Sequence, residues 1–276
     1  MFRATRQIDY RNPVSNSPLN RGLVSWWLAL PQTMGGARLI DLCGRYHGTL
    51  TNSPTWTSAA GRSGWGALKY VSASTQYVAT SAPLSSLTAF TLSGWTLRSA
   101  SGSNVYMTTN TAGYSGLVQV GFFSDGNVYI TPDAVDASQF LSCASNSTSW
   151  VHFVYTFDGS QSTATTRNKL YLNGSSQTLS GSSAATTTNA SSGTLDIGRR
   201  SLSSTYTSGK IDDVQFRTRT LSSDEAVALY NDSRTGYQQT LNRLPMRWVN
   251  SVAAGGVFNP YYYRMLAGHG GLGGAA

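Results

Sequence analysis

Apolar and polar residues alternate in short runs along most of this chain. Leu87–Leu97 places Phe90, Leu92, Gly94 and Thr96 on one side and Ala89, Thr91, Ser93, Trp95 and Leu97 on the other, the period-two pattern of a strand. Trp150–Phe157 is clearer still, with Val151, Phe153, Tyr155 and Phe157 on one apolar face. Further strands are expected at Gly22–Leu28, Gly48–Leu50, Gly61–Val71, Gln76–Ala79, Val118–Phe123, Asn127–Ile130, Lys169–Leu172, Thr194–Ile197 and Ile211–Phe216. Ser124-Asp125-Gly126, Asp158-Gly159 and Asn173-Gly174 mark turns between them, since glycine tolerates the positive φ of tight hairpins. Trp26 and Trp27 are adjacent, so one enters the core and the other needs a separate cover.

One helix is expected. Ser222 and Glu225 form a capping box, Ala226, Val227, Leu229 and Tyr230 supply an apolar stripe, and Asn231 can end it. Residues 175–193 are rich in Ser, Thr and Ala and suggest a strand followed by a long loop. Residues 1–21 carry Asn12-Pro13 and Ser17-Pro18, which disfavour helix and leave an extended arm. Residues 233–276 are aromatic at Trp248 and Tyr261, Tyr262 and Tyr263, and end in a Gly-rich run. The chain divides into a basic N-terminal arm (1–21), a β-sandwich (22–232) and an aromatic, basic C-terminal tail (233–276). A body of roughly 200 residues needs neither disulfide nor metal to hold its core.

The formal net charge of +8 sits mostly at the ends. Residues 1–25 hold four arginines against Asp9, and residues 233–276 hold four arginines and no acid. Such ends suit docking on an acidic surface or on nucleic acid. Arg3, Arg6, Arg11, Arg243, Arg247, Trp248, Tyr261, Tyr262 and Tyr263 are the candidate interface residues, and a homo-oligomer is expected. Nucleic acid is a poor fit, because the near-neutral middle offers no recognition helix or stacking sheet. No run of 18 apolar residues is present, so no membrane-spanning helix is expected. The first residues lack the apolar segment of a secretory signal. Cys43 and Cys143 are too few for a disulfide framework.

Hydrolytic chemistry finds little support. A retaining glycosidase needs two carboxyls about 5–5.5 Å apart. Glu225 is the lone glutamate and has a capping role. Asp212 and Asp213 are adjacent, which places them on opposite faces of a regular strand. His152 shares a face with Trp150 and Val154, where a structural role is expected. No nucleophile–base order or phosphate-binding loop stands out. The expectation is a non-enzyme.

Several blocks, taken in order, resemble the laminin-G-like branch of the concanavalin A-like lectin/glucanase jelly rolls. They include Gly22–Trp27, Asp41–Asn52, Phe90–Trp95, Ser149–Gly159, Thr194–Arg200 and Gly209–Tyr230, the last with Ile211-Asp212-Asp213-Val214 running on to the helix. The resemblance covers about residues 22–232. It implies an all-β fold: a two-sheet antiparallel jelly-roll sandwich of about 12–14 strands, with one short C-terminal helix and extended terminal arms. It also implies a structural Ca²⁺ between Asp41 and Asp212, with carbonyls from Gly44–Gly48; no other cofactor is required. Alternation places Asp212 with Val214 and Phe216 at the core edge, where its alternative partners are Arg45 or backbone N–H groups.

Exposed aromatics would serve a glycan site, and Trp56, Trp65, Tyr106 and Tyr114 are the candidates, each also suited to core packing. Domains of this kind occur in tailed-phage structural proteins, on cell surfaces and among secreted glycan binders. The leading expectation is a virion component, decorating the capsid or associated with the tail, assembled in the host cytoplasm and bound to other virion subunits through its arms. The other is an extracellular or surface lectin-like module that binds glycans.

Overall fold

The computed structural model describes residues 14–29, 36–57, 61–62, 66–134 and 136–234. Of the expected site residues, Arg3, Arg6, Arg11, Trp65, Arg243, Arg247, Trp248, Tyr261, Tyr262 and Tyr263 lie outside them. Two large antiparallel sheets stack face to face. The first runs Ser175–Ser176, Asn168–Leu172, Val151–Asp158, Ala89–Arg98, Gly209–Arg217, Ala67–Tyr70 and Thr55–Thr57, with Leu23–Trp27 also paired to Gly209–Arg217. The second runs Ser180–Gly181, Leu141–Ala144, Asn127–Thr131, Gln119–Phe122, Val105–Thr109, Thr194–Ile197, Tyr77–Pro83, Gly48–Thr51 and Arg38–Leu39. The jelly-roll expectation holds. Val105–Thr109 and Leu141–Ala144 are strands that alternation did not single out.

The alternating faces meet between the sheets. Phe90, Leu92, Phe153, Tyr155 and Phe157 come from the eight-stranded sheet, and Met107, Val120, Phe122, Ile130 and Ile197 from the nine-stranded one. Each such side chain contributes about 1.5–3 kcal/mol when fully buried. The one polar tip among these ten, the Tyr155 hydroxyl, donates to Asn168 Oδ1 at 2.7 Å. Gly94 leaves room for the Phe153 ring, which lies 3.1 Å from where its Cβ would be.

The outer face of the eight-stranded sheet is covered too. Trp27 enters the main core, while Trp26 points outward and is covered by Leu28 and Leu42, with Val14, Leu23 and Cys43 packed beside them. A bulge directs this arrangement. Asp213 has φ +56°, and pairing with Ala89–Arg98 jumps from Asp212–Trp95 to Gln215–Ser93. Ile211, Val214 and Phe216 therefore face the core, while Asp212 turns outward with Trp95. This corrects the expected alternation, because an extra residue in one strand shifts everything beyond it to the other face. Asp213 Oδ1 accepts from the Trp26 indole at 2.6 Å and from Gln215 Nε2 at 2.8 Å.

Residues 14–21, read as part of a separate arm, are integral to this layer. Leu19 is buried, and its carbonyl accepts from Nε of the fully buried Arg217 at 3.0 Å. Arg219 donates to the carbonyls of Arg21 and Pro18 at 2.7 and 3.2 Å.

The helix Ser223–Arg234 covers the rest of that face. Its capping box forms as expected: Glu225 N–H donates to Ser222 Oγ at 3.2 Å and Ser222 N–H to Glu225 Oε2 at 2.9 Å. It runs three residues beyond Asn231. Ala226 and Leu229, with Leu221 preceding them, meet Val154 and Tyr171, whereas Val227 faces solvent rather than the sheet. Under its last turns His152 lies 5.0 Å from the Trp95 ring and 5.7 Å from Tyr230.

Candidate functional site

The outer face of the nine-stranded sheet carries the concentration of chemistry. Its geometry starts at Gly121, which pairs with Tyr106 on one side and Tyr129 on the other. A Cβ at Gly121 would meet the Phe123 ring at 2.6 Å and the Tyr106 ring at 3.2 Å. The glycine is thus the seat on which the rings close. Phe123 follows its strand into the Ser124–Gly126 turn, where Gly126 has φ +85°. Asp125 fixes that turn: its carboxylate accepts from Asn127 N–H at 2.9 Å and from the Tyr129 hydroxyl at 2.8 Å. The acceptor carboxylate raises the Tyr129 phenol, and burial raises Tyr106.

From this seat a row of rings crosses the sheet edge to face. Tyr106 meets Phe123 at 5.2 Å, Phe123 meets Tyr129 at 5.0 Å, Tyr129 meets Phe140 at 6.5 Å, and Phe140 meets Tyr114 at 6.2 Å. Interplanar angles of 72–87° match the arrangement that aromatic quadrupoles favour. Tyr106 is 2% exposed and forms the base. Phe123, Tyr129, Phe140 and Tyr114 are half-buried and present their remaining surface outward.

Beside the rings, one register further along, lies a polar floor. Asp196, Thr108, Gln119 and Thr131 sit opposite one another on four neighbouring strands, all fully buried. A short hairpin, Arg199–Arg200 paired with Thr205–Tyr206, lies alongside. Arg199 forms an ion pair with Asp196, and its guanidinium carbon lies 3.9 Å from the centre of the Tyr77 ring. Burial still holds the Asp196 carboxyl above its ordinary value against that partner. Arg200 Nε donates to Gln119 Oε1 at 2.7 Å, and its guanidinium lies over Phe123. Three buried atoms of the floor have no hydrogen-bond partner: Asp196 Oδ1, Gln119 Nε2 and Thr131 Oγ1. Each such group costs about 1–3 kcal/mol and calls for a partner, such as an ordered water or a ligand.

Two of the expected glycan residues, Tyr106 and Tyr114, are brought together in this row. Trp56 is on the other sheet, packed against the core with its indole donating to the Gly36 carbonyl at 3.0 Å. Phe123, Tyr129, Phe140, Gln119 and Thr131 were not foreseen. The signal was available in part, since Phe123 and Tyr129 flank the Ser124–Gly126 hairpin on the same face.

The calcium expectation meets a different arrangement. Asp41 accepts four backbone N–H groups: Trp26 and Cys43 donate to Oδ1 at 2.8 and 2.9 Å, Arg45 and Tyr46 to Oδ2 at 3.0 and 2.9 Å. A carboxylate has about four acceptor positions, and all are taken. Asp41 therefore organises its loop as an amide acceptor and does not fit a calcium ligand, which must turn oxygen lone pairs to the ion. Asp212 sits across the sheet from Trp95. Among the described residues no group of three or more His, Cys, Asp or Glu side chains could hold an ion, and no helix is long and apolar enough to cross a membrane. Glu225 is held by Arg219 through two hydrogen bonds of 2.7 and 2.8 Å besides its capping role.

Comparison with known structures agrees with the fold. A Trypanosoma rangeli sialidase in complex with sialic acid superposes with a TM-score of 0.56 at 15% identity, over 79% of this chain and 34% of that one. Botulinum neurotoxin type C, whose passage into cells depends on interaction with two ganglioside molecules, gives a TM-score of 0.56 at 13% identity, over 78% of this chain and 52% of that one. The chain thus spans about a third of the sialidase and about half of the neurotoxin chain. No curated protein sequence matches. The model of one family matches residues 72–227, more than half of the chain. By that match and by its two stacked antiparallel sheets, the chain belongs to the concanavalin A-like lectin/glucanase superfamily.

Proposed function

We propose that this chain is a non-catalytic carbohydrate-binding module and that the outer face of its nine-stranded sheet takes the sugar. The observation that carries the reading is the row of half-exposed rings beside a buried floor with unpartnered hydrogen-bonding atoms. Aromatic faces accept the apolar C–H side of a pyranose, and convergent polar groups fix its orientation. Sugar binding named for structural neighbours is consistent with this reading. Catalysis is not proposed, because the lone glutamate is tied to Arg219 and its helix cap. Calorimetric titration against neutral and acidic oligosaccharides tests the proposal. Binding that Tyr129→Ala and Phe140→Ala each weaken at least tenfold, without loss of fold, is the expected result; binding unchanged by either substitution overturns it.

A second reading, a tailed-phage virion component fastened through its ends, is favoured by the placement of the net positive charge at residues 1–25 and 233–276. The two are compatible, because a particle surface can carry a glycan-binding sandwich. Co-sedimentation with assembled shells, lost on removal of residues 235–276, is expected under that reading. Localisation follows it: virion surface in one case, extracellular or cell surface in the other.

A further inference from the structure

We infer that the site selects sugars bearing an N-acetyl group. This inference rests on the carbohydrate-binding reading of the same face and names the ligand's distinguishing chemistry. Gln119 Nε2 and Thr131 Oγ1 belong to residues paired directly across neighbouring strands, and both atoms are buried without a partner. The other end of the Gln119 amide is held by Arg200, which fixes Nε2 as the free end. A free amide N–H₂ and a free hydroxyl together are a donor pair, complementary to a carbonyl oxygen. The register that pairs Ile130 with Leu141 brings Phe140 next to Thr131, and Tyr114 meets Phe140, so the adjoining wall is apolar. A carbonyl oxygen with a methyl group one bond away is what a donor pair beside aromatic rings accommodates, and an acetamido group has that shape.

Charge argues against the competing carbonyl, a sugar carboxylate. The Arg199 charge is already matched by Asp196, while Asp125 lies beside Tyr129 in the middle of the row and Asp133 by the loop at its Tyr114 end. Asp125 accepts from Tyr129, and Asp133 Oδ1 accepts from Gly116 N–H at 2.7 Å in the loop that carries Tyr114. Among the described residues Arg98 acts on Asp125, which leaves Arg200, engaged by Gln119 Oε1, beside the floor. A neutral amide carbonyl meets no repulsion there. Both donor atoms are buried, so a neighbouring side chain must move aside when the ligand's carbonyl reaches them.

The test is titration of the full chain with chitobiose, cellobiose and a glucuronic acid disaccharide, repeated on two near-isosteric variants. Gln119→Glu keeps the oxygen that Arg200 needs and removes the free donor; Thr131→Val removes the hydroxyl. Chitobiose is expected to bind at least tenfold tighter than cellobiose, and each variant is expected to lose at least tenfold for chitobiose and to narrow that preference, with the native circular dichroism spectrum retained. A site built to pair with a substrate group discriminates against analogues lacking it by such factors or more. Equal affinity for chitobiose and cellobiose, or a preference for the acidic sugar, overturns the inference while leaving carbohydrate binding intact. Failure of all three sugars and of a broad glycan panel overturns both readings.

Discussion

His152 makes the chain acid-labile in a way that one substitution should expose. Its imidazole is 1% exposed, stacked near Trp95 and Tyr230, and neither ring nitrogen has a hydrogen-bond partner. Burial pushes its pKa from 6.5 down to about 3, with the nearby positive charge of Arg217 adding to the effect. Above pH 6.5 the residue is neutral in both the folded and unfolded chains and has no pH-linked effect on stability. Between 6.5 and 3 the unfolded chain takes up a proton that the folded chain does not, so stability falls as the pH falls. Each pH unit in that window costs about 1.4 kcal/mol. At pH 4.5 the loss from this residue alone is about 3 kcal/mol, a large part of the stability of a typical domain. Guanidinium unfolding at pH 7.5 and pH 4.5 measures it, with His152→Leu as the reference that contains every other titrating group. The wild type is expected to lose about 3 kcal/mol more than the variant between the two pH values. Parallel losses in both proteins, or an imidazole resonance that titrates near 6.5 in the folded state, would refute the reasoning.

Asp41→Ala leaves four backbone N–H groups without their carboxylate; a loss of at least 3 kcal/mol in chemical unfolding is expected, and a chelator should leave the wild-type melt unmoved. Tyr70→Phe removes a fully buried hydroxyl that has no partner, so the melting temperature should stay level or rise by a few degrees, worth up to about 1 kcal/mol. Burial, aided by the Asp41 charge, pushes the Cys43 thiol up to about 12, and burial also raises Cys143. Both should label slowly with a thiol reagent at pH 8 in the folded state and rapidly in denaturant.

Strands with a clean period of two are legible in the sequence. Val151, Phe153, Tyr155 and Phe157 on one face, the Asn173-Gly174 turn and the Ser222–Glu225 cap follow from local chemistry that neighbours do not override. The bulge at Asp213 was not legible. Two adjacent aspartates read as ordinary alternation, and the buried partners Asp213 meets, Trp26 and Gln215, are set by the assembled sheet. The site was half legible. Tyr106 and Tyr114 could be named as aromatics, but nothing local says that Tyr106 and Tyr129 flank the same glycine across three strands. Gln119 and Thr131 read as routine polar strand residues, because a missing partner is a property of the assembled sheet. Val105–Thr109 escaped notice since all five residues are buried, which removes the alternation that marks a half-exposed strand.

The two ends of the described chain share one side of the molecule. Residues 14–21 and the helix Ser223–Arg234 both cover the outer face of the eight-stranded sheet, and the rings occupy the opposite face. A partner that gripped residues 14–21 or the helix Ser223–Arg234 would therefore hold the protein from behind, with the row of rings turned toward the surroundings. Many copies held in that way would form a multivalent array, in which weak affinity at each proposed site is sufficient for firm attachment.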